Sequence, residues 1–218
     1  TPDSAGNRKT WTFSCWVKRA ELGSENVIFA AGANAASSTG IAYFHFTSSD
    51  SLSYYRQFSG SGDTHYITNA KYRDPSAWYH IVVVEDTNNA SIKIYVNGIE
   101  QSLSLSTGPS NTNSPVNSTE IHTLGKRSWG TGGELDAYLA DVYFLNGIVA
   151  TADDFGELKN GVWVAKDYKG LFDSAAETAL GHANGFHLTF EDDAEVEGFN
   201  TVLWRGDGGT QSITGMGF

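Results

Sequence analysis

A single cysteine, Cys15, leaves the chain without an internal disulfide and without a thiolate metal site. It reads instead as a small buried core residue. Basic residues are also scarce, 14 against 25 acidic ones, for a formal net charge of −11. That balance excludes nucleic acid as a partner, because phosphate binding needs clustered lysines and arginines. No apolar run approaches the roughly 18 residues that would mark a membrane-crossing helix. The histidines at 45, 65, 80, 122, 182 and 187 show neither H-x-x-H nor H-x-H spacing, which argues against zinc. No serine sits in a G-x-S-x-G elbow, and no phosphate-cradling glycine loop ends in Lys-Ser/Thr. Signal-peptide features are missing, and Thr1 is not an initiator, so the sequence reads as cut at its start.

What is present is glycine, 24 residues against four prolines, with 13% aromatics over 218 residues. This composition fits many short strands joined by tight turns, in one large all-β domain or two small ones. The clearest stretch is 77–101, AWYHIVVVEDTNNASIKIYVNGIEQ. Residues 78–84 are apolar except for His80, and 91–96 alternate polar and apolar. β-Branched and aromatic residues crowd both runs, so both read as strands. Asp86-Thr-Asn-Asn89 between them is turn chemistry. Asn97-Gly98 is the dipeptide suited to a type I′ turn, after which residues 99–101 return as a third strand. Such a meander has one buried face and needs a second sheet to cover it.

Residues 10–18, TWTFSCWVK, alternate as well. Trp11, Phe13, Cys15 and Val17 fall on one face; Thr12, Ser14, Trp16 and Lys18 fall on the other. A tryptophan in the polar row predicts that this strand is covered on both sides. Further strands are predicted over 26–31, 41–46, 52–58, 65–68, 121–124, 135–145 and 185–190. Loops are predicted over 32–40, over the glycine-rich 125–133 carrying Trp129, and over the long Ser/Thr/Asn/Pro stretch 102–120. Thr151, with Asp154 three residues on, marks a capping box and a helix of one or two turns. The expected architecture is a two-sheet antiparallel β-sandwich with one short helix.

Three stretches carry a family resemblance: WTFSCWVKR, AWYHIVVVEDTNNASIKIYVNG, and GELDAYLADVYFLNG with TADDFGE after it. Their order and spacing resemble laminin G-like, concanavalin A-type jelly rolls. SAGNRKTWTFSCWVKR at the start, KYRDPSAWYH in the middle and NGFHLTFED at the end are similar to modules in virion structural proteins of tailed bacteriophages, marine ones especially. The resemblance covers roughly residues 4–192, and the stretch 199–218 resembles the opening of a following module. It therefore implies a domain over 1–193, a linker or new module over 194–218, and a place on the virion surface. Other virion proteins are implied as partners, and a homo-oligomer is compatible with it.

β-Glucanases of this fold carry three carboxylates on one strand as E-x-D-x-E. Here Glu134 and Asp136 fit the first two positions, but the third is Tyr138, or Leu139 if the strand is bulged. Counted by alternation, Asp141 lies further along and on the opposite face. Without the second catalytic carboxylate, a retaining double displacement cannot run, so no enzyme is expected. Two non-enzymatic classes remain. One is a saccharide-binding module for host-surface glycan, in which Tyr55, Tyr66 and Trp129 stack on sugar and Arg56 donates hydrogen bonds. The alternative is a structural spacer or assembly module without a glycan ligand. Asp153-Asp154 and Glu191-Asp192-Asp193 have oxygens suited to Ca²⁺, but a solvated acidic surface is the better account of them, and no other cofactor is called for. The sequons at Asn89 and Asn117 matter only in a eukaryotic secretory setting.

Overall fold

The computed structural model describes residues 1–33, 39–57, 64–105 and 111–190. Fourteen strands run in chain order: β1 (Thr10–Arg19), β2 (Asn26–Ala31), β3 (Ile41–Phe46), β4 (Leu52–Gln57), β5 (Thr64–Thr68), β6 (Tyr79–Asp86), β7 (Ser91–Val96), β8 (Ile99–Glu100), β9 (Leu103–Leu105), β10 (His122–Leu124), β11 (Ala137–Asn146), β12 (Gly156–Lys159), β13 (Val162–Ala165) and β14 (Phe186–Leu188). They form a first sheet ordered β14-β11-β1-β6-β7-β8, a second ordered β10-β2-β3-β4-β5-β9, and a β12–β13 hairpin. Every pairing in these sheets is antiparallel. This is the two-sheet jelly-roll sandwich.

Alternation decides what fills the space between the sheets. Trp11, Phe13, Cys15 and Val17 of β1 point inward and meet Phe29, Phe44, Tyr54 and Tyr66 from the second sheet. Trp11 packs at 5.7 Å from Phe44 and edge-on at 5.9 Å from Tyr54, geometries that aromatic quadrupoles favour. Cys15 is fully buried, and burial pushes its thiol pKa up.

The first sheet is covered on its outer side too, as Trp16 suggested. Residues 148–172 fold over it, bringing Ile148, Phe155, Trp163, Tyr168 and Phe172 onto Val82, Val84, Tyr143 and Leu145. The Asn97-Gly98 turn has both residues at positive φ, 49° and 81°, and joins Val96 to Ile99 as a two-residue hairpin.

Three expectations need correction. Thr151 does start a turn, and the Asp154 carboxylate accepts from its backbone N–H and its hydroxyl, at 2.7 and 3.0 Å. But the turn is only the 3-10 segment Ala152–Asp154, and the chain then enters β12. The α-helix among the described residues, α1, is Ala175–Ala179 instead, with Ser174 as N-cap accepting from the Glu177 N–H. The stretch 102–120 is not wholly loop, because Leu103–Leu105 adds to the edge of the second sheet. The proposed boundary at 193/194 and the acidic group 191–193 lie outside the described residues. Among the described residues, no helix is long and apolar enough to cross a membrane.

Candidate functional site

The four side chains expected to meet a ligand divide between two environments. β4 alternates Leu52, Tyr54 and Arg56 inward with Ser53 and Tyr55 outward, and Tyr66 of β5 stands opposite Tyr54 on the inner side. Arg56 and Tyr66 are thus interior, 2% and 1% exposed. Tyr55 and Trp129 are half-buried on the outer face of the second sheet.

The interior pair belongs to a polar network. Arg56 Nη1 lies 3.2 Å from Glu85 Oε1, and its Nη2 donates to Thr112 Oγ1 at 3.1 Å. Tyr54 donates its hydroxyl to Glu85 Oε2 at 2.5 Å, and Ser114 stands beside both. Glu85 is fully buried, and that burial pushes its carboxyl up to about 7 against the pull of Arg56. Burial likewise raises the Tyr66 hydroxyl to about 12. This network ties β4 to β6 across the sandwich.

The outer pair converges on one ring. Tyr43 of β3 lies 5.2 Å from Tyr55, its cross-strand partner, and 5.9 Å edge-on from Trp129. The glycine-rich turn after β10 carries Trp129 to this face. Arg127, two residues earlier, sits 5.6 Å over the Tyr43 ring and bridges to Glu25 at 3.0 Å. His65 packs edge-on to Tyr55 at 4.6 Å, extending the aromatic surface. His45 lies under the same face, 4.6 Å from the Tyr43 ring, and burial holds it down at about 3, hence neutral. Three phenol or indole rings, one guanidinium and one carboxylate therefore share this surface. Sequence reasoning missed Tyr43 and Arg127, although the Tyr43–Tyr55 pairing follows from the β3–β4 hairpin register.

Glu134 and Asp136 are exposed and lie with Tyr138 on the outer side of the first sheet, since Leu135, Ala137 and Leu139 pack inward. Asp141 departs from its expected side. Ser14 pairs with Tyr143 and Trp16 with Ala140, so β11 carries a bulge opposite Cys15, with Asp141 at φ 48°. The extra residue resets the alternation and sends the Asp141 carboxylate to His187 Nε2, at 3.0 Å. His187 stacks on Tyr143 of the outer face, ring centroids 3.8 Å apart. No third carboxylate joins Glu134 and Asp136 on the row that Tyr138 occupies.

Among the described residues, no three His, Cys, Asp or Glu side chains gather as a metal site. Asp154 is spent on its cap, and the Asp153 carbonyl accepts from Lys166. Asn89 of the first sequon is exposed, whereas Asn117 of the second is fully buried. A cleft of about 540 Å³ opens between the edge strands β10 and β14, lined by Phe29, His122, Leu124, Phe144, Asn184 and Phe186 among others. Both nitrogens of His122 are engaged there, with the Asn117 N–H and the Glu120 carbonyl.

No curated protein matches the sequence. Among solved structures, the native heptameric SAP-like pentraxin from Limulus polyphemus is similar at TM-score 0.47 and 16% identity, over 70% of this chain and 71% of that one. The CBM40 of the Ruminococcus gnavus IT-sialidase gives TM-score 0.48 and 13% identity, over 70% and 92%. The enzymatically active domain of tailspike protein 2 from bacteriophage CBA120 gives TM-score 0.48 and 12% identity, over 70% of this chain and 24% of that one. A single family model spans residues 1–153, more than half of the sequence and every strand of both large sheets except β14. By that match, the chain belongs to the concanavalin A-like lectin/glucanases superfamily.

Proposed function

We propose that this chain is a non-enzymatic adhesion module that binds host-surface glycan from the surface of a bacteriophage virion. The observation that carries the reading is the convergence of Tyr55 and Trp129 on Tyr43, with Arg127 and Glu25 beside them. Sugar rings present flat C–H faces that stack on aromatic rings and hydroxyls that pair with charged groups, so this surface has the chemistry a saccharide needs. The superfamily, which contains lectins, supports the same class. The virion setting rests on the sequence motifs around residues 4–19, 71–80 and 184–192 alone. Lack of catalysis follows from Tyr138 standing where the third carboxylate of a glucanase would be.

A glycan array probed with the full chain tests this. Tyr55→Ala and Trp129→Ala should each weaken binding by tenfold or more, in line with roughly 1–2 kcal/mol for a lost stacking contact. Absence of binding to any glycan, or binding indifferent to both substitutions, would leave the spacer or assembly role instead.

A further inference from the structure

The cover formed by residues 148–172 packs on Val82, Val84, Tyr143 and Leu145 of the first sheet. Away from those residues, β1, β11 and the residue before β6 place side chains in one row. Lys18 of β1 stands opposite Tyr138 of β11. On the other flank of β1, Val17 pairs with Tyr79, so Trp78 continues the row one residue beyond that pair. Alternation agrees, because Tyr79 packs against the interior while His80 stacks on Trp16 at 4.9 Å on the outer side. Trp78 is 41% exposed and Tyr138 66%. Trp16, half-buried, stands in the next row opposite Ala140, whose methyl group leaves the indole uncrowded on that flank.

Two exposed rings thereby flank β1, Tyr138 on β11 and Trp78 just before β6, with their backbones about 9.5 Å apart by the spacing of neighbouring strands. Polar groups surround them: Lys18 lies between the rings, and Asp136 and Glu134 continue the outer side of the chain leading into β11. None of these three charges forms a salt bridge with another described residue. A protein partner would bury a contiguous apolar core of contact, and here the rings are set apart by charge. Isolated flat rings flanked by charged donors and acceptors, with Asp74 also near enough to Lys18 to feel its charge, suit a chain of sugars, which alternates C–H faces with hydroxyls.

We propose that Trp78, Lys18 and Tyr138, with Trp16 behind them, form a stacking surface for an extended saccharide chain. Trp78 and Tyr138 take two non-adjacent sugar rings, Lys18 donates to hydroxyl oxygens between them, and Asp136 accepts from a hydroxyl at the Tyr138 end. The surface lies on the opposite sheet from Tyr55 and Trp129 and does not rest on the reading of that pair.

Native gel electrophoresis of the full chain through gels carrying mixed-linkage β-glucan, xylan or a bacterial O-antigen polysaccharide tests the proposal. At least one polysaccharide should retard the chain. Trp78→Ala and Tyr138→Ala should each weaken that retardation severalfold, and the pair should remove it. Tyr138→Phe should keep it, because the ring and not the hydroxyl does the stacking. Tyr55→Ala with Trp129→Ala should leave it unchanged. Both rings are solvent-exposed, so thermal melts of the single variants should overlay the parent; where the pair melts early, the single variants decide. Retardation in none of the three gels, or retardation that survives in both single variants or disappears only with Tyr55 and Trp129, would overturn the proposal. So would a dimer in solution that Trp78→Ala returns to monomer, since the face would then be a self-contact.

Discussion

Trp163 donates its indole N–H to Nδ1 of His80 at 3.0 Å, and this bond sets the state of a buried histidine. With Nδ1 accepting, the proton of the neutral ring sits on Nε2 and is donated to Ser14 Oγ at 2.9 Å. The imidazole stacks on Trp16, with centroids at 4.9 Å, and Trp163 lies beside its edge at 6.0 Å. One side chain thus joins β1, β6 and the β12–β13 hairpin that covers them.

Acid should therefore loosen the fold. Burial lowers His80 to about 4, His122 to about 4 and His45 to about 3, from an unfolded value near 6.5. Depressed histidine pKa values mean that the unfolded chain binds more protons below 6.5. Their contribution is fully present above 6.5 and is lost as pH falls toward the folded values. Glu85, raised to about 7, works the other way: its contribution is present below 4.5 and lost as pH rises through 7. Three groups oppose one, so the melting temperature should fall by several degrees between pH 7 and pH 4.5. His80→Gln, which cannot titrate, should flatten that slope; an unchanged slope in melts taken across this range would contradict the assignment.

Gly98 is held for two reasons. Its φ is +81°, and a Cβ built there would lie 2.5 Å from the Trp163 ring. Gly98→Val should cost about 1–2 kcal/mol from the turn alone, plus the clash. Urea titrations of Gly98→Val with and without Trp163→Ala separate the two terms. The valine should cost measurably less in the alanine background. Equal costs in both backgrounds would mean that the indole does not enforce the glycine.

Catalytic silence is the third expectation. Glu134 and Asp136 face solvent on a row whose next member is Tyr138, and the bulge commits Asp141 to His187. No hydrolysis of β-1,3 or β-1,4 glucan is expected in a reducing-sugar assay. Turnover that vanished in Glu134→Gln would overturn this.

The strands were legible because period-two alternation survives wherever one face is buried, as over residues 10–18 and 91–96. Asn97-Gly98 was legible because few other dipeptides tolerate two positive φ values in succession. The β12–β13 hairpin carries the same signal in Asn160-Gly161, at φ 52° and 80°, and Ser174 with Glu177 marks α1 as plainly as Thr151 with Asp154 suggested a helix. Those two could have been read. The side of Asp141 could not, because a bulge inverts parity and depends on the partner strand. Nor could the burial of Arg56: its parity with Leu52 and Tyr54 points inward, yet a buried charge needs a partner such as Glu85, which meets it from a strand 29 residues away across the sandwich. Tyr43 is a different case: its pairing with Tyr55 follows from the β3–β4 hairpin register and could have been read, whereas the approach of Trp129 to it depends on the turn after β10.

The Arg56–Glu85 pair gives the largest effect expected from one substitution. Both side chains are almost fully buried, so neither retains water when its partner is removed. Glu85→Ala removes the carboxylate that Arg56 meets at 3.2 Å in the interior, and should destabilise the chain by about 3–5 kcal/mol. At roughly 2–4 °C per kcal/mol for a domain of this size, that is a fall of several to more than ten degrees in Tm. Replacing both partners is a different experiment. Arg56→Met with Glu85→Leu removes two desolvated charges together, and Tyr54 loses only one hydrogen-bond acceptor while Ser114 remains beside its hydroxyl. The double variant should be markedly more stable than Glu85→Ala and close to the parent. If the two variants melt together, the loss comes from the packing of the glutamate stem or from the Tyr54 hydroxyl, and not from a stranded charge.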